Sequence, residues 1–372
     1  MTHPFVSAHS ASTDTPAAIQ EAIQGLEGTS PKIVVFFHSP EHEGSKIRAA
    51  LDERFPDATV IGCSSSGEFT EHGRGDGGLA VLAFGDALVR RQAVAIRDLG
   101  DDARAAVTSA TDELARALGS ELRDLDPERH IGIVLVDSAL GQEEAVNEAL
   151  GNAAPLLSFV GGSAGDNLAF VKSWVHGQGR TSEAGVVLLL MESMRPFHIV
   201  KACNYEATEK VYEITSAAHR LIREIDGRPA VEAYAEAIGK SPDELDFPAF
   251  LANPLGLMID GKPWLRSPYR ATPEGMVFAC EIIEGMRMNL MRGRDIVEDT
   301  RAALLEARRL LGGEISGGLF FNCAYRKLEV QIKGVEEPYH QALAGFPLAG
   351  AHTHGESWLG HINQTLTGVL FG

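Results

Sequence analysis

Three stretches of the chain repeat one order of apolar and polar segments. In each stretch an apolar run is followed by a segment with apolar residues at helical spacing, then by a second apolar run, a glycine-rich loop and a third apolar run. The stretches begin at residues 33–37, 131–136 and 319–323. Continuous apolar runs of this length are typical of strands buried on both faces. Each stretch therefore predicts strand, helix, strand, loop and strand, and the threefold recurrence indicates a repeated fold.

The order of these elements predicts the fold class. The helical segments are 45–55, 143–153 and about 336–344, and the closing strands are 79–84, 186–190 and 366–371. A strand-helix-strand connection is usually right-handed and makes its two strands parallel. We predict an α/β fold with repeated strand-helix-strand-strand modules that form mixed sheets in two domains. The glycine-rich loops then lie at the carboxyl edges of the sheets, where α/β proteins bind ligands.

Changes of pattern along the chain predict the domain organisation. The first sixteen residues are polar and lack the apolar core of a signal peptide. The region after the second stretch predicts helices at 217–225 and 229–238. The segment 241–248 holds three acidic residues and two prolines, and such a segment favours a crossing between domains. The predicted parts are a flexible leader with a short helix at 1–29, an N-terminal domain at 30–240 and a C-terminal domain at 247–372.

The composition narrows the class of protein. The chain has 372 residues, 44% of them hydrophobic, and a formal net charge of −18. This charge argues against sequence-independent binding to nucleic acid, which needs a basic face, and against an anionic membrane surface. The longest apolar runs are too short to span a bilayer. The four cysteines form no C-x-x-C pair, which suits a reducing cytoplasm with no disulfide framework or zinc ribbon.

The three glycine loops share a form in which glycines are followed by an acidic residue. The first loop is Gly62–Glu68, the third is Gly350–Glu356, and the second, Gly161–Asp166, is one residue shorter. Glycines let backbone amides approach a ligand closely, and consecutive amides can bind an anion. The alternative interpretation is that the glycines form tight turns that the acids cap. The candidate ligand-binding residues in these loops are Gly62, Cys63, Ser64, Gly67, Glu68, Asp166, Gly355 and Glu356.

The second loop also matches G-x-S-x-G, a pattern that places a nucleophilic serine at a sharp turn. Here Ser163 holds the serine position. The pattern requires a helix directly after the serine, whereas residues 166–174 have the pattern of a turn and a strand. A hydrolase that uses Ser163 or Cys63 is therefore only an alternative hypothesis.

Histidines are concentrated near the third loop. Four of the 13 histidines fall between residues 340 and 361, and His352 and His354 are two residues apart. On a strand these two would share a face. Together with Glu356 they could bind a divalent metal ion, or one of them could be an axial haem ligand. The alternative is that both are ordinary histidines that bond with their neighbours.

A further candidate follows the first strand of the third copy. Arg326 comes directly after the buried run that ends at Cys323. An arginine in that place can bind a ligand carboxylate through two hydrogen bonds. The alternative is an internal ion pair with Glu356 or Glu329.

Taken together, these motifs resemble a known family. The run Ile61–Glu68 is similar to the hallmark of the N-terminal FIST domain. The run Phe321–Arg326, the third loop and the segment Asn363–Leu366 are similar to that of the C-terminal FIST domain. The likeness covers roughly residues 30–370. One departure is that positions 352 and 354, usually aromatic in this family, are both histidine here, which favours the haem or metal option.

The resemblance implies an intracellular sensory module rather than an enzyme. The ligands that it implies are small molecules such as amino acids, and the signal would pass to a partner protein. Some bacterial members are similar to haem proteins that sense nitric oxide and control a histidine kinase. We therefore predict a cytoplasmic sensor of a small ligand, with a haem-based nitric-oxide sensor that regulates a histidine kinase as the alternative.

Overall fold

The computed structural model describes residues 4–372, and the three repeated stretches build three of its four sheets. The elements of the first repeat are β1 (Phe5–Ser10), α1 (Thr15–Gly25), β2 (Ile33–His38), α2 (Gly44–Arg54), β3 (Thr59–Ser64), β4 (Glu68–Thr70), β5 (Arg74–Gly75), β6 (Leu79–Phe84) and β7 (Val89–Asp98). Strands β2 and β3 are parallel, and β6 is antiparallel to β2. The predicted order of strand, helix, strand, loop and strand is confirmed.

Strand β1 corrects the expectation of a flexible leader. It pairs with β6 along its whole length. Phe5 is buried, and its ring centroid lies 5.3 Å from that of Phe84 and 5.5 Å from that of Phe371. Burial of a few large side chains is enough to hold a short polar segment as an edge strand. Residues 1–3 of the predicted leader lie outside the described residues.

The second repeat has the same order of elements. They are α3 (Ala103–Leu118), a 3-10 helix (Leu122–Asp124), β8 (His130–Val136), α4 (Glu143–Ala153), β9 (Ser158–Ser163), β10 (Val175–Gly177), β11 (Arg180–Ser182) and β12 (Gly185–Ser193), after which comes β13 (Phe197–Ala202). Strands β8 and β9 are parallel, and β12 is antiparallel to β8. Helices α3 and α4 cover the outer face of this sheet, where Val107 and Val146 pack with Val134 and Leu188.

A separate antiparallel sheet follows. Its region contains β14 (Tyr205–Ala218), β15 (Leu221–Ile225), β16 (Arg228–Pro229), α5 (Ala230–Ala237), a 3-10 helix (Pro242–Glu244), α6 (Phe247–Ala252), β17 (Leu255–Ile259), β18 (Lys262–Arg266), β19 (Pro268–Thr272), β20 (Gly275–Phe278) and β21 (Arg287–Gly293). The helix predicted at 217–225 is wrong, since this segment is the hairpin of β14 and β15. Ile222 and Ile225 are both buried, and their spacing of three imitates a helix. The helix predicted at 229–238 is confirmed as α5. The boundary predicted between 240 and 247 lies within this region.

The third repeat closes the fold. Its elements are α7 (Ile296–Leu310), β22 (Gly317–Cys323), α8 (Ala324–Lys333), α9 (Glu336–Leu343), β23 (Leu348–Thr353), β24 (Glu356–Ser357), β25 (His361–Ile362) and β26 (Leu366–Phe371). Strands β22 and β23 are parallel, and β26 is antiparallel to β22. The third repeat thus has the predicted order, with α8 as an additional helix.

Each repeat donates a short strand to the sheet of another repeat. Strand β10 of the second repeat pairs with β3 of the first, β24 of the third pairs with β9 of the second, and β4 of the first pairs with β23 of the third. The three sheets therefore form a closed ring of exchanged strands. One face of each sheet contributes to a shared central core, in which Phe37, Leu135 and Phe321 are fully buried. Among the described residues, no helix is both long and apolar enough to cross a bilayer.

Candidate ligand cleft and the three glycine loops

The exchange of strands brings the three glycine loops into direct contact. Backbone hydrogen bonds join every pair of loops. They run from the N–H of Ser66 to the C=O of His352 (2.8 Å), from His352 to Gly67 (2.8 Å), from Ser163 to Gly355 (2.9 Å), from His354 to Ser163 (3.0 Å) and from Gly165 to Ser64 (2.9 Å). The loops of the three copies thus form one unit, a point that the sequence left open.

The acids of the first and third loops are buried and are bonded within their own copies. The carboxylate of Glu68 accepts hydrogen bonds from the Gly78 N–H at 2.5 Å and the Ser65 hydroxyl at 2.9 Å. The carboxylate of Glu356 accepts from the Thr365 N–H at 3.1 Å and the Thr365 hydroxyl at 2.7 Å. Each acid ties its loop to the start of the closing strand. Burial raises the pKa of Glu68 to about 7 and that of Glu356 to about 8.

The acid of the second loop also bonds to backbone. Asp166 accepts hydrogen bonds from the N–H groups of Phe170 (2.9 Å), Val171 (2.7 Å) and Lys172 (3.0 Å). Burial alone would raise the pKa of Asp166, but these three donors and the nearby His354 lower it below its ordinary value. All three loop acids therefore cap turns, and the alternative interpretation of these loops describes them better than a ligand-binding role.

The first loop is closely packed before it reaches its acid. A Cβ atom on Gly62 would lie 2.4 Å from the carbonyl oxygen of Phe36, so only glycine fits between the strands. Cys63 is fully buried in the central core, and burial raises the pKa of its thiol. The hydroxyl of Ser64 accepts a hydrogen bond from the Trp174 N–H at 3.0 Å. These three candidates hold β3 against its neighbours.

Gly67 and Gly355 occupy backbone conformations that other residues rarely adopt, with φ of +119° and +131°. A Cβ atom on Gly355 would lie 2.2 Å from the ring of His361. On Gly67 it would lie 3.0 Å from both His352 and the Nζ atom of Lys327. Gly67 therefore lets the first loop lie directly against two side chains of the third repeat.

Those two side chains lie in a cleft of about 630 Å³ between the first and third repeats. We call it the inter-copy cleft. It lies between the β4–β5 hairpin on one side and α8 and α9 on the other, at the end of β23. Its polar lining consists of Arg74, Asp76, Gln331, Glu336, Glu337, Lys327, Tyr339, His340 and His352, and its apolar lining includes Phe69, Val330 and Leu343. Small-molecule sites commonly have this size.

Charged groups of both signs lie along the inter-copy cleft. Lys327 donates to the carbonyl oxygen of Ser66 at 2.7 Å and forms an ion pair with Asp76 at 2.8 Å. Its side chain is 17% exposed, so it is largely held in place. At the rim, Arg74 pairs with Glu337 at 3.2 Å. The cleft can therefore bind groups of either charge by replacing an existing partner.

The protonation of His352 is fixed by a chain of buried hydrogen bonds. Arg326 can only donate, and its Nε–H donates to Asn322 Oδ1 at 3.1 Å. The amide nitrogen of Asn322 therefore faces His352 Nδ1, at 2.9 Å, and that ring nitrogen must accept. Burial, with the charges of Lys327 and Arg326, holds the pKa of His352 well below its usual value. His352 is thus neutral with its proton on Nε2, which makes that group a donor.

Arg326 is fully buried and binds neutral oxygens rather than a carboxylate. Besides Asn322, it donates to Asn204 Oδ1 at 2.6 Å and to Thr300 Oγ1 at 2.9 Å. Both expectations for Arg326 are therefore corrected, because no ligand can reach it and it makes no ion pair with Glu356 or Glu329 among the described contacts. Its observed role is to position Asn322 and, through it, His352.

His354 lies apart from His352, because β23 ends at Thr353 and the chain turns. Its Nε2 lies 3.0 Å from the Ser66 hydroxyl and 3.6 Å from Asp166 Oδ1, and its Nδ1 lies 3.1 Å from the Ser138 hydroxyl. Burial lowers its pKa to about 4. The expectation that the two histidines share a face is therefore wrong.

The two histidines do not fit the proposed metal or haem ligands in this arrangement. A metal ligand needs an unprotonated ring nitrogen that faces the metal. In His352 the unprotonated nitrogen bonds to Asn322, and in His354 both nitrogens face serine hydroxyls. The carboxylate of Glu356 is held by threonine. Across residues 4–372, no group of three or more His, Cys, Asp or Glu side chains could hold a metal ion.

The arrangement around Ser163 does not match a nucleophile elbow. Ser163 ends β9, is fully buried, and is followed by a loop instead of a helix. Cys63, the other candidate nucleophile, is a buried core residue with a protonated thiol. Neither side chain lines the inter-copy cleft.

Sequence reasoning missed the residues that line the inter-copy cleft, except for one. His352 was among the candidates, while Lys327, Tyr339 and Asp76 were not. Lys327 follows Arg326 directly and shares a helix face with Val330, which is the signal that could have identified it. Asp76 gave no such signal, because it reaches the cleft only through the exchange of β4.

Comparison with known proteins agrees with the motifs. The chain matches the model of the FIST N domain over residues 32–228 and that of the FIST C domain over residues 230–358. It is 24% identical over 298 residues to an uncharacterized protein of Methanocaldococcus jannaschii, an alignment that covers 74% of this chain and 57% of that protein. The chain thus spans little more than half the length of this relative.

A solved structure can be aligned with this chain over almost its whole length. The crystal structure of a chorismatase aligns with 99% of this chain and 97% of its own, at 9% identity and a TM-score of 0.36. A likeness of this degree carries no conclusion about function. The two domain matches, by contrast, cover most of the chain in the predicted order. The chain is therefore a member of the FIST family of signal-transduction sensor proteins, with an N-terminal and a C-terminal FIST domain.

Proposed function

We propose that this protein is a cytoplasmic sensor that binds a small zwitterion, such as an amino acid, in the inter-copy cleft and signals through a partner protein. The observation that carries the proposal is the pair of donors that line the cleft beside Gly67. The ammonium group of Lys327 and the Nε2–H group of His352 belong to side chains that both contact the Gly67 position. Two such donors suit a carboxylate, since charge-assisted hydrogen bonds are the stronger kind.

The acidic side chains of the cleft would bind the ammonium group of the zwitterion. Asp76 is paired with Lys327, and Glu337 with Arg74. A ligand carboxylate that replaces Asp76 on Lys327 leaves that acid free to accept from a ligand ammonium group. A zwitterion therefore exchanges one internal ion pair for two contacts with the ligand. We propose that the partner is a histidine kinase or another signalling protein. It would respond to the change in the ion pairs of the cleft.

A thermal-shift screen of amino acids and small carboxylates tests this proposal. A ligand at one hundred times its Kd should stabilise the folded protein by about 2.7 kcal/mol. Lys327→Met should abolish the ligand-dependent shift, because it removes the ammonium group that we propose to bind the ligand carboxylate. The matched control is Lys46→Met, which changes a lysine whose side chain is 61% exposed on α2.

Two results would overturn the proposal. One is that no compound raises the melting temperature of the wild-type protein. The other is that the shift persists in Lys327→Met at the same ligand concentrations. An absorption spectrum recorded after incubation with haem addresses the alternative sensor. We expect the spectrum of unbound haem, because neither His352 nor His354 presents an unprotonated ring nitrogen that is free of a hydrogen bond.

A further inference from the structure

The loop that follows the second glycine loop, residues 166–172, is held in an unfavourable conformation by one carboxylate. Asn167, Leu168 and Phe170 have φ of +57°, +64° and +54°, a region that non-glycine residues seldom occupy. Asp166 accepts hydrogen bonds from three N–H groups at the far end of the loop. The conformation therefore depends on the position and charge of this carboxylate, and such strain often marks a functional segment.

The same loop exposes apolar side chains. Phe170 is 51% exposed and Val171 is 76% exposed. On its inner side, the ring of Phe170 lies 4.6 Å from that of His354 and 6.1 Å from that of Tyr269. Beneath it is a cavity of about 20 Å³, room for about one water molecule. The loop therefore covers this cavity, and the outer surface of the loop is apolar.

A continuous set of contacts leads from the inter-copy cleft to this loop. Lys327 Nζ donates to the carbonyl oxygen of Ser66 at 2.7 Å, and the hydroxyl of the same serine lies 3.0 Å from His354 Nε2. That ring nitrogen also lies 3.6 Å from Asp166 Oδ1. The carboxylate that clamps the loop is therefore three contacts away from the lysine in the cleft.

We propose that loop 166–172 is the output element of the sensor and that Lys327, Ser66, His354 and Asp166 couple it to the inter-copy cleft. This inference rests on the proposed function for the identity of the input. A ligand carboxylate that takes the place of Asp76 on Lys327 also draws the ammonium group away from the carbonyl oxygen of Ser66. Loss of that bond frees the first glycine loop to shift, His354 follows the Ser66 hydroxyl, and Asp166 loses its neighbour. The clamp on the loop weakens, and the backbone of Asn167, Leu168 and Phe170 leaves its unfavourable conformation.

The coupling can be tested in the ligand-free protein, so that its outcome is independent of the ligand screen. The measurement is amide hydrogen exchange at Phe170, Val171 and Lys172, whose N–H groups Asp166 holds. We expect Asp166→Asn to speed exchange at these amides by tenfold or more, because the clamp loses its charge. Lys327→Met should speed it several-fold, although the lysine lies in a different repeat from the loop.

Controls keep this test decisive. Unchanged protection of the β8 amides establishes that each variant is folded, and Lys46→Met should leave all of these rates at their wild-type values. Should Lys327→Met fail to fold, Ser66→Ala breaks the next contact and carries the same expectation. The proposal is overturned if Asp166→Asn speeds exchange in the loop while the folded Lys327 or Ser66 variant stays within twofold of wild type. It is equally overturned if Asp166→Asn has no effect, since the clamp itself would then be absent.

Discussion

Replacing Glu356 by glutamine tests how a buried loop acid changes the pH dependence of the free energy of unfolding. Glutamine keeps the size of the side chain but cannot ionise. Glu356 is fully buried, and burial raises its pKa from 4.5 to about 8. The folded protein therefore keeps a proton that the unfolded chain releases above about pH 4.5. The stabilising contribution of that proton is complete below this pH and is lost as the pH rises through about 8.

The expected magnitude follows from the difference between the two pKa values. One pKa unit corresponds to about 1.4 kcal/mol, so the free energy of unfolding should fall by roughly 3 to 4 kcal/mol between about pH 5 and pH 8 through this carboxyl alone. In Glu356→Gln, the free energy of unfolding should not show this fall between about pH 5 and pH 8. Its amide can still accept from the Thr365 N–H and donate to the hydroxyl of Thr353 or Thr365, the groups that bond the acid.

Equilibrium unfolding in urea at several pH values measures this difference. The variant should match wild type to within about 1 kcal/mol near pH 5 and exceed its stability by about 3 kcal/mol near pH 8. Glu68→Gln should behave in the same way with a smaller difference, since the pKa of Glu68 is raised only to about 7. Glu27→Gln, at an exposed position, serves as the control. Parallel pH profiles for wild type and Glu356→Gln would show that the carboxyl group of Glu356 does not keep its proton in the folded protein.

Three further predictions concern residues around the loops. Gly67→Ala should cost about 1 to 3 kcal/mol, measured by urea unfolding, because its φ of +119° disfavours a side chain and its Cβ would meet His352; an unchanged stability would contradict this. Arg326→Lys should cost about 2 to 4 kcal/mol, because lysine cannot reach all three oxygens that the guanidinium group bonds and buried acceptors lose their donors. It should also disturb the Nε2 protonation of His352, which nitrogen NMR shifts would show. Cys63 should resist thiol reagents in the native protein, as checked by mass spectrometry, and rapid modification would show that the core opens.

The repeated fold could be predicted from the sequence because its buried strands appear as long, continuous apolar runs. Buried strands such as Ile33–His38 and Gly317–Cys323 need continuous apolar runs, and three such runs with the same spacing cannot be mistaken for loops. Short segments carry less information. The hairpin that contains Ile222 imitates a helix through one apolar spacing, and β1 is too short and polar to be distinguished from a flexible leader.

The site was predictable only in part, for a different reason. Glycine motifs identify where backbones approach closely, and Gly67 does lie against the side chains of the cleft. These motifs do not identify the side chains that line the cleft. Lys327 and Asp76 come together only because strands are exchanged between distant parts of the sequence. Acids such as Glu68 look like ligand groups in sequence, yet their hydrogen-bond partners lie in their own repeat.

The pairing of β4 with β23 also governs when the cleft can exist during synthesis. Strand β4 is made early, but its partner, around Gly350, is made near the end of the third repeat. Non-local strand pairs form slowly because a long loop must close first. Until then, β4 presents an unpaired edge that could capture a strand of another molecule. Binding competence should therefore arise only after β23 has been made, and a chain stopped before β23 should have no cleft.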